Sequence, residues 1–254
     1  MERITSRKNP LIAQFRRLAG ERRERREAGL LLGQGQKLLA EALAAGVLPE
    51  TVLFCGACPA LPPSVRRCEV PEDLLAYLSP MKSAPELLFT APIPEEAGPV
   101  RGRVLLAEDM QDPGNVGTMI RTAAAFGFNG LLLAGACADP WSPKAVRASM
   151  GAVFRLKLWE REDTAEALGE LAEEGLPLYA AALAEQAEQA GKLRFPERFV
   201  LAVGNEGHGL GREVLAAAER IVRIPMAPGA ESLNAAAAAA VLMWEAYRER
   251  MEDV

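Results

Sequence analysis

The stretch that decides the fold covers residues 103–134 and reads RVLLAEDMQDPGNVGTMIRTAAAFGFNGLLLA. Two short apolar runs, 103–107 and 130–134, predict buried strands. The segment between them predicts a helix over residues 117–126, because its apolar side chains recur at helical spacing among alanines. A strand, a helix and a second strand in this order predict parallel neighbouring strands joined by a crossover helix.

The same alternation continues to the end of the chain. It predicts an α/β fold with a mostly parallel sheet that has helices on both faces. Ligands of such sheets bind beyond the carboxyl ends of the strands, so the loops there are candidate sites. The further predicted strands are 154–158, 177–182, 199–203 and 221–224, and the further predicted helices are 143–149, 164–174, 211–218 and 233–250.

A smaller α/β region precedes this one. Residues 90–102, TAPIPEEAGPVRG, contain three prolines and two glycines, which is typical of a linker. We therefore predict an N-terminal domain over residues 1–92 and a C-terminal domain over residues 100–254. In the N-terminal domain the predicted helices are 9–19 and 35–45, and the predicted strands are 29–32, 51–55 and 86–90.

The composition is that of a globular protein. Of the 254 residues, 50% are apolar and 25% are charged, close to the average for globular domains. The longest apolar run, residues 235–244, is far shorter than the roughly 18 residues of a membrane span. The first residues, MERITSRKNP, contain no apolar signal core, and four cysteines make no disulfide framework. We therefore expect a cytoplasmic location and no membrane partner.

Charge is unevenly distributed along the chain. The net charge is −5, but the first 26 residues contain nine basic and three acidic side chains. A basic arm on an acidic body predicts an electrostatic surface for phosphate backbones. The alternative is a solvated helix with alternating charges, which the sequence ERRERRE at 21–27 also fits.

Two further loops have distinctive sequences. Residues 204–211 read GNEGHGLG and follow the apolar run FVLAV. The four glycines permit close backbone approach to a ligand, but their spacing differs from the dinucleotide fingerprint G-x-G-x-x-G. Residues 225–234 read PMAPGAESLN and precede six alanines, which predict a closely packed final helix capped by Ser232.

Several enzyme classes lack their motifs. There is no phosphate-binding G-x-x-x-x-G-K-[ST] loop, and no G-x-S-x-G elbow accompanies His208, the only histidine. Cys55 and Cys58 lack a clear second pair for a zinc site. Nucleotide hydrolysis, acyl transfer and zinc chemistry are therefore excluded, and we expect no metal.

Three motifs follow one another along residues 103–254. They are Asn115-x-Gly117-x-x-x-Arg121, then Gly204-Asn205-Glu206-Gly207-x-Gly209-Leu210, then Ile224-Pro225-Met226 with Ser232-Leu233-Asn234. Taken together, the three motifs resemble the SpoU (TrmH) family of RNA 2′-O-ribose methyltransferases in the SPOUT superfamily. Residues 142–151, SPKAVRASMG, also resemble a family segment between the first two motifs.

The resemblance implies a trefoil knot near the C-terminus, S-adenosylmethionine as cofactor and a homodimer formed through the catalytic domain. It implies that Arg121 stabilises the developing alkoxide or orients an adjacent phosphate. Asn115 would place Arg121, and Glu206 would orient Arg121 or the ribose. Ser232 and Asn234 would fix the third loop and the RNA. The implied cofactor-binding residues are Gly204, Asn205, Gly207, Gly209, Ile224, Met226 and Leu233.

The N-terminal part resembles the family's small RNA-binding domain, which has a ribosomal-protein-like fold. Gln34 stands where the family commonly has glutamate. The chain contains few aromatic residues, and we expect Phe15, Phe54 and Tyr77 in the core, so the RNA would be recognised by its shape. The residues expected to bind RNA are Arg7, Lys8, Arg16, Arg22, Arg23, Lys37, Lys144 and Arg147.

Three other functions stay open at this point. A non-catalytic RNA-binding or ribosome-assembly protein could use the same scaffold, although the three motifs are intact. A tRNA base methyltransferase from another SPOUT branch would share the donor pocket. A dinucleotide-dependent oxidoreductase would need a glycine fingerprint after its first strand, where Asp112-Pro113-Gly114-Asn115 stands instead. The sequence leaves open whether the RNA is rRNA or tRNA.

Overall fold

The structure is a computed structural model that describes residues 2–79, 84–96, 98–184 and 186–252, with side chains to residue 248. Its strands are β1 (Glu2–Arg3), β2 (Leu30–Gln34), β3 (Thr51–Phe54), β4 (Arg66–Glu69), β5 (Leu87–Pro92), β6 (Arg103–Glu108), β7 (Gly130–Ala134), β8 (Lys157–Arg161), β9 (Leu178–Ala181), β10 (Glu188–Gln189), β11 (Phe199–Val203) and β12 (Arg220–Arg223). Its helices are α1 (Pro10–Gly20), α2 (Arg22–Ala28), α3 (Gln36–Ala44), α4 (Glu72–Leu78), α5 (Pro113–Ala125), α6 (Pro143–Ala148), α7 (Thr164–Glu173), α8 (Arg212–Ala217) and α9 (Ala235–Glu252).

The chain divides into two compact units. The first consists of the residues up to Glu95 together with Asp139–Arg155. The second consists of Glu96–Ala138 and the residues from Leu156 onward. Residues 139–155 lie within the predicted C-terminal domain of residues 100–254, but this segment, which contains α6, packs on β2 of the first unit.

The first unit is built on a mixed sheet with the strand order β1-β4-β3-β5-β2. Strand β5 is antiparallel to both β2 and β3, and β4 runs parallel to β3. Helix α1 begins at Pro10 because the side chain of Asn9 accepts a hydrogen bond from the Leu11 amide. Its apolar face buries Phe15 against the sheet, within the core of this unit.

A buried ion pair fastens residues 139–155 within the first unit. The guanidinium of Arg25 lies 2.6 Å from the Asp139 carboxylate, and the two side chains are 4% and 5% exposed. Arg25 also donates to the backbone oxygen of Leu18 at 2.7 Å. Removing one partner of such a pair leaves an uncompensated buried charge, at a cost of about 3–5 kcal/mol. Arg25 therefore has a structural role, although it belongs to the basic stretch of residues 1–26.

The second unit contains a parallel sheet with the strand order β10-β12-β9-β11-β6-β7-β8. Every pairing in it is parallel, which confirms the predicted α/β class. Val104 and Leu106 of the central strand belong to a core that includes residues of α7 and α8. Leu105 and Ala107 point to the opposite face and are also fully buried. Both faces of the sheet are therefore covered.

Some predicted bounds were wrong. The strand predicted at residues 154–158 lies at Lys157–Arg161, because a 3-10 turn occupies Ala152–Phe154. Helix α5 begins at Pro113, four residues before the predicted start, because Asp112 accepts a hydrogen bond from the Gly114 amide and caps it. Five of the strands and helices in the described part of the chain lie outside the predicted elements, namely β1, β4, β10, α2 and α4.

Candidate active site

Three loops meet at the carboxyl edge of the parallel sheet. They follow β6, β11 and β12, and the first two of these strands are hydrogen-bonded neighbours. We call residues 109–112 the first loop, residues 204–211 the second loop and residues 224–234 the third loop. Their position is where ligands of open parallel sheets bind, as the sequence analysis expected.

A cluster of three polar side chains joins the beginning of α5 to the second and third loops. The Asn115 amide nitrogen donates to Oε1 of Glu206. The Asn234 amide nitrogen donates to Oδ1 of Asn115 at 3.2 Å and approaches Oε1 of Glu206 at 3.4 Å. We call these three residues the polar cluster. All three side chains come from predicted catalytic positions, and the structure brings them together.

Arg121 lies apart from the polar cluster. It is exposed on the third turn of α5, and within the described part of the chain its side chain has no hydrogen-bond or ion-pair partner. From the family resemblance, Asn115 was expected to place Arg121. In the structure Asn115 instead holds Glu206, and Glu206 contacts two asparagines rather than the guanidinium.

Asn234 has a second role at the beginning of α9. Its Oδ1 accepts a hydrogen bond from the Ala237 amide at 3.2 Å, and its backbone oxygen accepts from Ala238 at 2.9 Å. The interpretation of Ser232 as the cap of this helix was therefore wrong, since the helix begins at Ala235 with Asn234 as the capping residue. Ser232 is exposed and lies in the third loop, where it lines the pocket described below.

The second loop is a tight turn that requires glycine. A Cβ atom on Gly204 would collide with the backbone of Gly209 and Leu210. Gly209 adopts a left-handed conformation, with φ of 71°, and its amide donates to the backbone oxygen of Asn205 at 2.9 Å. The Asn205 side chain accepts from the Gly207 amide at 2.7 Å, which closes the turn on itself.

Two bonds anchor the second loop to the end of β6. The Asn205 amide nitrogen donates to the backbone oxygen of Asp109 at 2.9 Å. The Gly211 amide donates to Oε2 of Glu108 at 2.6 Å, and Glu108 is only 5% exposed. A buried carboxylate that accepts an amide at a helix beginning satisfies an otherwise unpaired donor. Glu108 is thus a positioning residue that was not predicted, because it directly follows the predicted strand 103–107 and its partner lies 103 residues further along the chain.

A pocket of about 380 Å³ lies between the second and third loops. Ala181, Leu210 and Leu242 contribute to its mainly apolar lining. Of the residues expected to bind the cofactor, six line the pocket, namely Gly204, Asn205, Gly209, Ile224, Met226 and Leu233. Gly207 is not among the lining residues, although it belongs to the same turn.

Part of the pocket wall comes from residues that were not predicted. His208 lines the pocket, although the second motif does not demand a histidine there. Residues 181–183, at the end of β9 and directly after it, form another part of the wall. Their position could have been found from the strand order, because β9 lies between β11 and β12. Their sequence contains no polar signal that would draw attention to them.

Cys137 contacts the first loop through its sulfur atom. Its sulfur accepts a hydrogen bond from the Met110 amide at 3.3 Å and lies 3.3 Å from the Ala107 backbone oxygen. Burial is the main cause that raises the pKa of the Cys137 thiol to about 11. This thiol is therefore protonated at neutral pH and packs as an apolar group. Within the described ranges, no group of His, Cys, Asp and Glu side chains is arranged to hold a metal ion.

The residues expected to bind RNA all have exposed side chains in the first unit. Two of them surround an aromatic ring, because the guanidinium carbons of Arg7 and Arg16 lie 4.7 and 5.1 Å from the centre of Tyr77. Tyr77 was expected in the core, but it is 37% exposed. Arg23 is paired with Glu27 at 2.6 Å on the same helix.

The comparisons with known proteins point to one family. The SpoU rRNA Methylase family model matches residues 102–244. The 23S rRNA (guanosine(2553)-2′-O)-methyltransferase RlmP of Bacillus subtilis is 31% identical, over 96% of this chain and 98% of its own length. The 23S rRNA (uridine(2479)-2′-O)-methyltransferase of Streptomyces viridochromogenes is 33% identical, over 98% of this chain and 93% of its own length.

A solved structure with a related function also matches nearly the whole chain. The SpoU methyltransferase AviRb from Streptomyces viridochromogenes, in complex with the cofactor AdoMet, matches with a TM-score of 0.85 and 28% sequence identity. The match covers 96% of this chain and 100% of that chain. The family model, the near full-length relatives and the shared fold lead to one conclusion: the chain belongs to the SpoU rRNA methylase family.

Proposed function

We propose that this protein transfers a methyl group from S-adenosylmethionine to a ribose 2′-hydroxyl of 23S rRNA. The observation that carries the proposal is the polar cluster, which joins residues of all three family motifs beside an apolar pocket. The two relatives that match nearly the whole chain are both named as 23S rRNA 2′-O-methyltransferases, which favours rRNA over tRNA.

The pocket fits the cofactor in size and chemistry. Its 380 Å³ falls within the roughly 300–1,000 Å³ of small-molecule sites, and its lining is mainly apolar with a few polar groups. Bound S-adenosylmethionine supplies a methyl group activated by the positive charge on its sulfur. Gly204, Gly209 and Asn205 would hold it through the backbone of the second loop, with Gly207 completing the turn. Ile224, Met226 and Leu233 would hold it from the opposite wall.

The polar cluster would position the ribose. Two asparagine amides donate to Glu206, which fixes its carboxylate at the mouth of the pocket. A fixed carboxylate can accept a hydrogen bond from the 2′-hydroxyl and orient it. This arrangement favours the ribose, rather than Arg121, as the group that Glu206 orients. Ser232, exposed in the third loop, would contact the RNA.

Arg121 would stabilise negative charge. A guanidinium keeps its proton in proteins, so Arg121 is assigned to the developing alkoxide or to a neighbouring phosphate and not to proton removal. Its exposed position on α5 leaves it available to the substrate.

The second copy of a homodimer would cover part of α9. Trp244 and Val241 are 43% and 42% exposed, and the Trp244 ring lies 5.7 Å from Phe126 and 6.1 Å from Tyr247. Exposed aromatic groups of this kind are enriched at interfaces. A homodimer in sedimentation velocity that Trp244→Asp converts to a monomer supports this proposal, and a monomeric parent protein contradicts it.

We further propose that the C-terminal part of the chain forms a trefoil knot. After β12 near one edge of the sheet, the chain returns so that α9 packs against β11 and α5, which is the return path that a threaded C-terminus needs. We propose that the first unit is a separate RNA-binding domain and that the protein acts in the cytoplasm. Among the described residues, no helix combines the length and the apolar character needed to cross a bilayer.

The direct test is methylation of an unmodified 23S rRNA transcript with labelled S-adenosylmethionine. We expect one ribose-methylated nucleotide, detected as an alkali-resistant linkage. Arg121→Ala should lower kcat about 100- to 1,000-fold at unchanged cofactor affinity, as the loss of a transition-state contact does. Arg194→Ala, an exposed arginine of the same unit, is the matched control.

Other outcomes would contradict the proposal. A methylated base would point to another SPOUT branch. Cofactor and RNA binding without transfer would point to the non-catalytic alternative. An Arg121→Ala protein as active as the parent would remove Arg121 from the mechanism.

A further inference from the structure

The first unit contains a hollow that lies outside the active site. It measures about 130 Å³ and is formed where β2 meets α3 and where α6 ends. Its lining combines two basic, two polar or acidic and two apolar side chains. We call it the basic hollow, and its lining residues are Gln34, Lys37, Leu38, Glu41, Arg147 and Met150.

The charge of the basic hollow is positive although the whole chain carries −5. Lys37 and Arg147 are exposed, and within the described part of the chain neither has an ion-pair partner. Glu41 is already neutralised, because its carboxylate lies 2.6 Å from the Arg155 guanidinium. Two free cations beside a neutralised carboxylate attract a phosphate group.

The side of the basic hollow formed by Met150 is apolar, and the backbone there is strained. Met150 is 37% exposed and adopts a left-handed backbone conformation, with φ of 51°, which is uncommon for a residue other than glycine. Such conformations cost free energy and are concentrated at binding and catalytic sites. The thioether of methionine makes favourable contacts with the edges and faces of aromatic rings.

The turn that presents Met150 is held in place by its neighbour. Gly151 also has a positive φ of 88°, and a Cβ atom there would lie only 2.5 Å from Cβ of Glu41. Close approach of this backbone to α3 therefore requires glycine at position 151. Two consecutive left-handed residues turn the chain sharply after α6 and leave the Met150 side chain at the rim of the basic hollow.

The size of the basic hollow matches one planar ring. A dry cavity of about 150 Å³ accepts benzene, whereas drug-sized ligands occupy roughly 300–1,000 Å³. The Gln34 amide, which donates to the Ser79 hydroxyl at 3.3 Å, keeps its carbonyl oxygen without a partner among the described residues. This oxygen and the free oxygen of Glu41 can accept hydrogen bonds from the edge of a base.

We propose that the basic hollow binds one unstacked nucleotide of the RNA substrate, away from the nucleotide that is methylated. Lys37 and Arg147 bind its flanking phosphates, and Met150 contacts the face of its base. Protein recognition of RNA commonly uses such splayed nucleotides in loops and bulges. The inference rests on the proposed RNA function, and it adds a position at which the substrate is selected.

The first test measures RNA affinity without turnover. Fluorescence anisotropy with a labelled 23S rRNA transcript is recorded over a series of salt concentrations for the parent protein and for the Lys37→Ala/Arg147→Ala variant. We expect about tenfold weaker binding and a salt slope smaller by about 1.4, since each lost phosphate contact removes about 0.7. Lys192→Ala/Arg194→Ala, which removes the same charge from exposed positions of the second unit, is the matched control.

The second test separates binding from folding. Met150→Gly relieves the strained backbone, so the melting temperature should stay the same or rise. RNA affinity should nevertheless fall about two- to tenfold, because the contact with the base is lost. If Met150 had only a structural role, the melting temperature and the RNA affinity would change together. Photocrosslinking with 4-thiouridine-substituted 23S rRNA should then label the peptide that contains Met150 in the parent protein.

Several outcomes would overturn the inference. The first is an equal loss of affinity in the two double variants, and the second is crosslinking confined to other peptides. The third is unchanged rRNA affinity with reduced methylation of ribosomal particles, which would assign the basic hollow to a ribosomal protein. Failure of the proposed function looks different, because the parent protein would then bind the transcript and S-adenosylmethionine without methylating a ribose.

Discussion

The two loops that form the walls of the pocket are held in different ways. The second loop is closed by hydrogen bonds within itself and is anchored to Glu108 and Asp109 at the end of β6. Within the third loop, the described structure has a single turn bond, from the Ala230 amide to Ala227 at 3.2 Å, and a capping residue at its end. One wall of the pocket is thus held by several bonds, and we expect the other, which has fewer, to be ordered further by what binds there.

The largest expected effect comes from the wall formed by the second loop. Gly204→Ala would drive a methyl group into the backbone of Gly209, which destabilises the protein by about 1–3 kcal/mol. The same displacement should weaken S-adenosylmethionine binding about 100-fold, measured by calorimetric titration. Gly207→Ala is the matched control, because its Cβ meets only the Asn205 side chain, at 3.2 Å. Equal affinity of the two variants would show that the second loop is not a rigid wall.

Asn234 connects the two walls, and its two roles can be separated. Asn234→Ala removes both the cap of α9 and the hydrogen bond to Glu206. Asn234→Ser keeps a capping side chain but is too short to reach Glu206. We expect kcat to fall about 10- to 100-fold in both variants, while only alanine lowers stability, by about 1 kcal/mol. Normal kcat in the serine variant would contradict the role of the polar cluster.

The third loop should respond to ligand more than the second loop does. Hydrogen exchange followed by mass spectrometry should show fast exchange in residues 226–233 of the free protein. Saturating S-adenosylmethionine should slow it about tenfold, since binding stabilises the ordered form. Peptides from residues 204–211 should change little. Equal protection of both loops from hydrogen exchange before ligand is added would contradict the claim that the second loop is held more firmly than the third.

The smallest expected effect concerns the support under the first loop. Because burial raises the pKa of Cys137 from 9.0 to about 11, the folded state keeps a proton that the unfolded state loses in this window. Stability is therefore fully present below pH 9 and decreases as the pH rises to 11. We expect the melting temperature to fall by a few degrees over this range. Cys137→Ala should flatten this dependence, whereas Cys55→Ala, at an exposed position, should not.

Parts of this arrangement could be predicted from the sequence. Strand and helix alternation predicted the parallel sheet, and its carboxyl edge predicted which loops matter. The glycines of residues 204–211 predicted close backbone approach to a ligand, and the close approach that the structure has at Gly204 is to the backbone of Gly209 and Leu210. These features are local, since they depend on patterns within a few residues.

The remaining features depend on which strands become neighbours. The bond between Asn115 and Glu206 joins residues 91 positions apart, and its formation follows from the pairing of β6 with β11. Glu108 acts through the same pairing, because it reaches the Gly211 amide across two strand ends. Tyr77 was misplaced because its apolar ring suggested burial, whereas two arginines from α1 and the preceding loop surround it at the surface.

The ion pair between Arg25 and Asp139 has a consequence for biosynthesis. Asp139 lies in the segment Asp139–Arg155, which completes the first unit. A nascent chain that has emerged only as far as residue 95 therefore contains a buried arginine position without its carboxylate. At roughly 5–20 residues per second, the ribosome needs several more seconds to supply that partner. The first unit therefore cannot reach its complete native state when residue 95 has been translated. It must wait for residues 139–155, which follow the first segment of the second unit along the chain.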